Sequence, residues 1–327
     1  MNGAPHTSVA DTNPQENPAT RIPDESTTPG LRLFRDHPLA DELARLYPFK
    51  PHFLATPGGR MHYVDEGGGE AIVLLHGNPT WSFYYRNLIL ALRDRYRVIA
   101  PDHMGCGLSD KPLEYPYTLG THIENFTRLM DALDLQEVTL GVHDWGGPIG
   151  FGWAVNHPDR VRRLIVFNTS VFLGGRVPWR IRVCGWPGIG DWLMLNKNAF
   201  PRAALRMALV HRKRVTPAVR TGYLLPYDRP AHRTALLRFV RDIPTHPGIP
   251  SYTVLQGIQD CLGRLRDRPI WIGWGLKDWC FTETFLRRWR SSFPHAAVHT
   301  FPDAGHYVVE DAGERIIPLL RGFLAGG

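Results

Sequence analysis

The chain has 327 residues, 43% of them apolar and 21% charged, and carries a net charge of +7. That is the composition of an ordinary globular protein, long enough to bury a large core as one domain with an insertion or as two domains. Four scattered cysteines (Cys106, Cys184, Cys261, Cys280) with no CxxC pair argue against a disulfide frame or a zinc site and for a reducing, cytoplasmic setting, and no apolar run is long enough to span a bilayer.

Residues 1–30 are rich in Pro, Thr, Asn, Asp and Glu, lack the apolar core of a signal peptide, and are expected to form a disordered tail. Leu31 to Tyr47 has helical spacing. Two strands are expected between Phe53 and Asp65, turning at Pro57-Gly58-Gly59-Arg60. Ala71 to Leu75 is a continuous apolar run, as in a strand covered on both faces of a parallel sheet. It ends at His76-Gly77-Asn78-Pro79-Thr80-Trp81, and Ser82 to Arg93 reads as a helix. Arg97 to Asp102 is the next strand, Leu119 to Leu133 a helix, and Val138 to Val142 a strand. It runs into Val142-His143-Asp144-Trp145-Gly146-Gly147 and then a helical segment, Pro148 to Asn156. Val161 to Phe167 is another buried strand. Such alternation predicts an α/β fold with a doubly wound, mostly parallel sheet.

The alternation stops at residue 171. Residues 171–262 hold helical, Trp- and Arg-rich stretches without strands and read as an inserted helical cap, dividing the core into 31–170 and 263–327. The basic excess concentrates in this cap. A solvated helical surface, an acidic partner, an anionic membrane or an anionic product would each account for it. Nucleic acid is not expected, since no nucleic-acid reader motif accompanies the charge. Strands resume at Pro269 to Trp274 and Ala297 to Phe301, and a helix from about Gly313 to Leu324 closes the chain.

Three titratable residues fall at strand ends in the order Asp144, Asp278, His306. A strand, a sharp turn and a helix form the context of a nucleophile elbow, and nucleophile, acid, histidine is the chain order of an α/β-hydrolase triad. All three lie where ligands bind in open α/β sheets, beyond the carboxyl ends of the strands. An aspartate at the elbow is already ionised at neutral pH and can displace a leaving group from an sp3 carbon, forming an alkyl ester. His306 would serve as base and Asp278 would orient it. Carbon–halogen bonds, epoxides and strained cyclic esters are the electrophiles that suit this nucleophile. The backbone N–H groups of Asn78 and Trp145 are expected to form an oxyanion hole. The Asn78 side-chain amide and the Trp145 indole N–H are expected to hold a departing anion. Trp81 and His143 are expected to pack behind the site, and Asn168, an amide, leaves the acid role to Asp278.

At His76-Gly77-Asn78-Pro79-Thr80-Trp81, Val142-His143-Asp144-Trp145-Gly146-Gly147 and Asp303-Ala304-Gly305-His306-Tyr307 the chain resembles the haloalkane dehalogenases, especially their third subfamily. That subfamily also contains the β-lactone decarboxylases of bacterial long-chain olefin biosynthesis. Trp81 to Leu88, Pro226-Tyr227-Asp228, Arg238 to Pro244 and His306 to Ala312 look like this branch. The resemblance implies an α/β-hydrolase fold and no cofactor or metal. The substrate it implies is small and hydrophobic, a cis-3-alkyl-4-alkyloxetan-2-one that opens to an alkene and carbon dioxide. It also implies membrane-proximal assembly with other enzymes of olefin biosynthesis. Two rival activities use the same nucleophile. A haloalkane dehalogenase would release halide. An epoxide hydrolase would draw two tyrosines from the cap, for which Tyr223 and Tyr227 are the candidates.

Overall fold

The computed structural model describes residues 29–326, so nearly all of the expected tail lies outside the described residues. Eight strands form one sheet: β1 (His52–Thr56), β2 (Gly59–Glu66), β3 (Ala71–Leu75), β4 (Arg97–Pro101), β5 (Val138–His143), β6 (Val161–Phe167), β7 (Ile270–Gly275) and β8 (Ala297–Phe301). Their order is β1-β2-β4-β3-β5-β6-β7-β8. The β1–β2 and β2–β4 pairs are antiparallel, and every other pair is parallel.

Helices cover both faces. In chain order they are α1 (Pro29–Arg35), α2 (Ala40–Leu46), α3 (Arg86–Leu92), α4 (Leu119–Ala132) and α5 (Gly146–Ala154). Then come α6 (Trp179–Gly185), α7 (Ile189–Asp191), α8 (Ala199–Met207), α9 (Pro217–Leu224), α10 (Thr234–Arg241) and α11 (Ser251–Asp260). After the cap follow α12 (Glu283–Ser292) and α13 (Val308–Ala325). The continuous apolar run of β3 is explained by burial on two sides. Val73 and Leu75 pack into one core with α4 and α5, while Ile72 and Leu74 pack into a second with α3 and α13. Each such side chain contributes about 1.5–3 kcal/mol through burial. Between β6 and β7 the described chain contains helices and short turns and no strand.

Three boundaries differ from the sequence expectation, each for a local reason. The stretch from Leu31 to Tyr47 splits into α1 and α2 at Asp36-His37-Pro38-Leu39. Pro38 has no N–H for a helical ladder and disfavours helical backbone at His37. The segment after Trp81 opens as a 3-10 turn, Ser82–Tyr85, before α3 begins at Arg86. The closing helix begins at Val308 rather than near Gly313, with a non-helical Ala312 (φ −134°) inside it. Its first turn carries Glu310 and Asp311, both buried in the fold.

Candidate active site

The site grows out of β5. Asp144 follows the last residue of that strand at φ +50°, a left-handed backbone that costs a non-glycine residue about 1–3 kcal/mol. Its neighbours hold it there. The Asp144 N–H donates to the Asn168 carbonyl at 3.2 Å, and its own carbonyl accepts from the Gly147 N–H at 2.9 Å and the Thr169 hydroxyl at 2.5 Å. Gly146 is required by close approach, since a Cβ there would lie 2.1 Å from the Leu75 carbonyl oxygen. Gly77 is required in the same way, because its Cβ would meet the Asp144 side chain at 2.2 Å.

The structure brings Asp144, Asp278 and His306 together. His306 Nδ1 donates to Asp278 Oδ2 at 2.8 Å, and His306 Nε2 faces Asp144 Oδ2 at 3.5 Å. All three side chains are buried. Burial alone would depress the His306 pKa, but the charge of Asp278 and the hydrogen bonds of Asp144 and Asp278 overrule it and raise it to about 10. At neutral pH the imidazole is therefore a cation between two carboxylates. Burial works against the Asp144 carboxylate, yet its contacts with His306, His143 and the Asn78 N–H hold its pKa below the ordinary value. The Asp144 carboxylate is therefore ionised at neutral pH without any proton transfer.

Asp278 is itself fixed from several sides. Its Oδ1 accepts the N–H groups of Cys280 at 2.6 Å and Phe281 at 3.0 Å. Its Oδ2 accepts the Asn168 amide at 3.0 Å besides His306. Asn168 thus acts on the site as a support for the acid, a role that its amide chemistry left unassigned in sequence. His143 lies behind His306, donating from Nε2 to the His306 carbonyl at 2.9 Å with ring centroids 4.5 Å apart. Burial and the neighbouring His306 push its pKa down to about 3, so it is a neutral spacer. Trp81 packs in the second core and donates its indole N–H to the Gly222 carbonyl at 3.0 Å. Asp311 was not singled out in sequence. It accepts the N–H groups of Gly305, Val210 and His211 at 2.8, 2.9 and 2.8 Å, tying the His306 loop to the cap.

The anion-binding groups are arranged differently from the simplest expectation. The Asn78 backbone N–H donates to Asp144 Oδ1 at 2.8 Å, so this donor is already engaged by that carboxylate, whose Oδ2 is turned to His306. The Trp145 backbone N–H makes no hydrogen bond to that carboxylate among the described residues. One N–H of the Asn78 amide is spent on the Leu236 carbonyl of α10 at 3.1 Å, because the cap helix descends onto it, and one remains. The Trp145 ring lies against Phe239 at 5.2 Å and lines the cavity.

That cavity has a volume of about 250 Å³ and is lined largely by apolar side chains. Asp144, Asn78, Trp145 and His306 stand on one side of it, while α6, α8 and α10 supply the cap side. Tyr223 and Tyr227 do not line it. The Tyr223 hydroxyl donates to Glu310 at 2.5 Å inside a buried network with Arg86, and the Tyr227 hydroxyl reaches the Thr80 carbonyl at 3.3 Å. Neither hydroxyl is placed to protonate an epoxide beside Asp144.

Residues 70–313 match the family model for the alpha/beta hydrolase fold. A cis-3-alkyl-4-alkyloxetan-2-one decarboxylase of Shewanella oneidensis is 43% identical over 288 residues, covering 86% of this chain and 90% of that protein. Its counterpart from Xanthomonas campestris is 41% identical, covering 85% of this chain and 97% of that protein. Haloalkane dehalogenase 2 of Mycobacterium tuberculosis is 34% identical, covering 83% and 94%. Among solved structures, the haloalkane dehalogenase DatA of Agrobacterium tumefaciens aligns with a TM-score of 0.76 at 27% identity, covering 84% of this chain and 96% of that one.

Proposed function

The chain belongs to the α/β-hydrolase fold family, and from that premise we propose that it is a cis-3-alkyl-4-alkyloxetan-2-one decarboxylase. The choice of electrophile is carried by one observation. Two relatives with that activity in their names match at 43% and 41% identity along nearly the whole described chain, cap included, against 34% for the haloalkane dehalogenase.

The geometry supports a route through Asp144. Oδ2 attacks the sp3 ring carbon that bears the ring oxygen. The carbon–oxygen bond breaks and its electron pair stays on the departing carboxylate, which remains tethered through the neighbouring carbon. The bond from that carbon to the carboxylate then breaks. Its electron pair forms the alkene, carbon dioxide leaves, and Asp144 is expelled as a carboxylate. No water or proton is consumed. Attack at the carbonyl carbon would instead leave an alkoxide that must depart as oxide before an alkene could form. Displacement with inversion followed by anti elimination turns a cis lactone into a cis alkene.

In this route the cationic His306 stabilises Asp144 as leaving group, and Asp278 holds His306 in orientation. Trp145 and Asn78 both line the cavity, and their indole and remaining amide N–H groups would serve as donors to the carboxylate released from the ring. Four free cysteines support a cytoplasmic setting. Among the described residues no helix is long and apolar enough to cross a membrane.

The test offers purified protein a long-chain cis β-lactone and, separately, a panel of bromoalkanes in heavy-oxygen water. Cis alkene without incorporated label supports the decarboxylase. Halide release and labelled alcohol with no alkene would overturn it. The dehalogenase reading has one specific support, the presence of Asn78 and Trp145 in the cavity lining, and under it a His306→Ala variant would accumulate an alkyl ester on Asp144 detectable by mass spectrometry.

A further inference from the structure

Seven large apolar side chains are exposed among the described residues, and four of them fall within fourteen positions of the cap. They are Trp179, Trp186, Ile189 and Trp192, with 68%, 52%, 59% and 52% of their surfaces exposed. The segment that carries them, α6 through α7 and into the following turn, shows its other side to the cavity through Ile181 and Cys184. Where the cavity lining itself is exposed, it consists of Gly174, Gly175, Arg176, Arg180 and Thr245. Trp179 stands between two lining residues, Pro178 and Arg180, and therefore at the rim.

Positive charge surrounds these rings. Arg176, Arg180, Arg182, Lys197, Arg202 and Arg206 are all exposed, and the only acid from 176 to 206 is Asp191, which Arg241 engages at 2.8 Å. Arg180 lies 5.4 Å over the Trp179 ring, and Lys197 lies 4.9 Å over the Trp192 ring. Protein–protein interfaces also gather tryptophan and arginine but are depleted in lysine, whereas here Lys197 joins five arginines and the one nearby acid is already paired, a net positive surface that calls for an anionic partner. Tryptophans interleaved with arginine and lysine suit the headgroup region of an anionic bilayer, where rings reach the acyl boundary and cations meet lipid phosphates.

We propose that this face docks the enzyme on an anionic membrane surface, so that the cavity rim opens against the lipid. The exposed rim gives a reason for such docking, which rests on the decarboxylase reading. The cavity lining is exposed at Gly174, Gly175, Arg176, Arg180 and Thr245, so a lactone with two long alkyl chains would enter past this face. In water that passage exposes methylenes; from a bilayer the lactone reaches Asp144 without crossing water.

The experiment compares the full chain with a Trp179→Ser, Trp186→Ser, Trp192→Ser variant. Circular dichroism checks the fold, and turnover of a short-chain, water-soluble β-lactone checks the site. Both proteins are sedimented with vesicles of phosphatidylcholine, with and without phosphatidylglycerol. The unaltered chain should bind the anionic vesicles at least about tenfold more tightly than the neutral ones, and the variant should lose at least about tenfold of that affinity. Binding should weaken as salt rises from about 0.1 M to about 1 M and the Debye length shrinks from about 10 Å to about 3 Å. Long-chain lactone dissolved in vesicles should turn over about tenfold more slowly with the variant, while the short-chain rate stays unchanged. Equal vesicle binding by the two proteins, no binding at any composition, or burial of these tryptophans in a protein oligomer without lipid would overturn the docking face. Vesicle binding without turnover of any lactone would overturn the decarboxylase reading and leave the docking face standing.

Discussion

Replacing Asp278 by Asn keeps the shape of the acid and removes its charge, and the surroundings of the carboxylate leave the amide no acceptable orientation. All four of its partners are donors: His306 Nδ1 and Asn168 Nδ2 on one oxygen, the Cys280 and Phe281 N–H groups on the other. Whichever way the amide turns, its NH2 faces two donors. Charge-assisted hydrogen bonds of this kind contribute about 1.5–3 kcal/mol each, so losing two costs roughly 3–6 kcal/mol. Realised in the transition state, that is a fall in kcat/KM of about 10²–10⁴. Loss of the Asp278 charge also removes the strongest of the causes raising the His306 pKa, so the alkaline limb of activity should move from about 10 toward neutral. The sign for stability is the same. His306 titrates higher folded than unfolded, so its protonated form stabilises the fold fully below pH 6.5, and that contribution is lost as pH rises through about 10. The assay is alkene formation followed by gas chromatography across a pH series, beside thermal melts of both proteins. Activity within about tenfold of the parent, with an unmoved alkaline limb, would refute the sandwiched-cation picture of His306.

Three further outcomes follow from the geometry. Gly77→Ala should lower kcat at least about a hundredfold by pushing the Asp144 carboxylate aside, with the fold retained by circular dichroism. Glu310→Gln should destabilise the protein by about 3–5 kcal/mol in urea unfolding, because it leaves the buried Arg86 guanidinium without a counter-charge. Tyr223→Phe should cost about 0.5–1.5 kcal/mol of stability and leave turnover within about twofold, measured on the same lactone. Loss of turnover there would bring back the epoxide hydrolase reading.

Much of the architecture is legible in the sequence because its signals are local. The runs at β3 and β6 announce strands buried on both faces, and Val142 to Gly147 announces the elbow through residue types that the turn demands. The triad is legible because order and strand-end position constrain it jointly. What is not legible depends on contacts between distant segments. Asn168 looks idle until β7 brings Gly275 and Asp278 beside it. Glu310 and Asp311 lie before the helix start expected near Gly313, and their burial depends on α9 and the Leu209 to His211 loop docking onto α13. The partial use of the Asn78 amide depends on a single carbonyl of α10, which no pattern in residues 76–81 contains.

The first turn of α13 has a bearing on how traffic through the cavity can occur. Glu310 bonds Tyr223 of α9 and Arg86 of α3, and Asp311 holds the backbone at Val210 and His211. One edge of the cap is thus riveted to the same helix that begins beside His306. Within the cap itself, α6 and α7 are held to α10 by Arg241, through the Gly185 carbonyl at 3.2 Å and the half-exposed Asp191 at 2.8 Å. Swinging the riveted edge would break the buried Tyr223–Glu310 hydrogen bond and disturb the histidine loop, whereas parting α6 and α7 from α10 breaks half-exposed polar contacts that solvent can replace. The cap is thus pinned on its catalytic side by the helix that begins beside His306, while the α6–α7 segment is held from within the cap by α10.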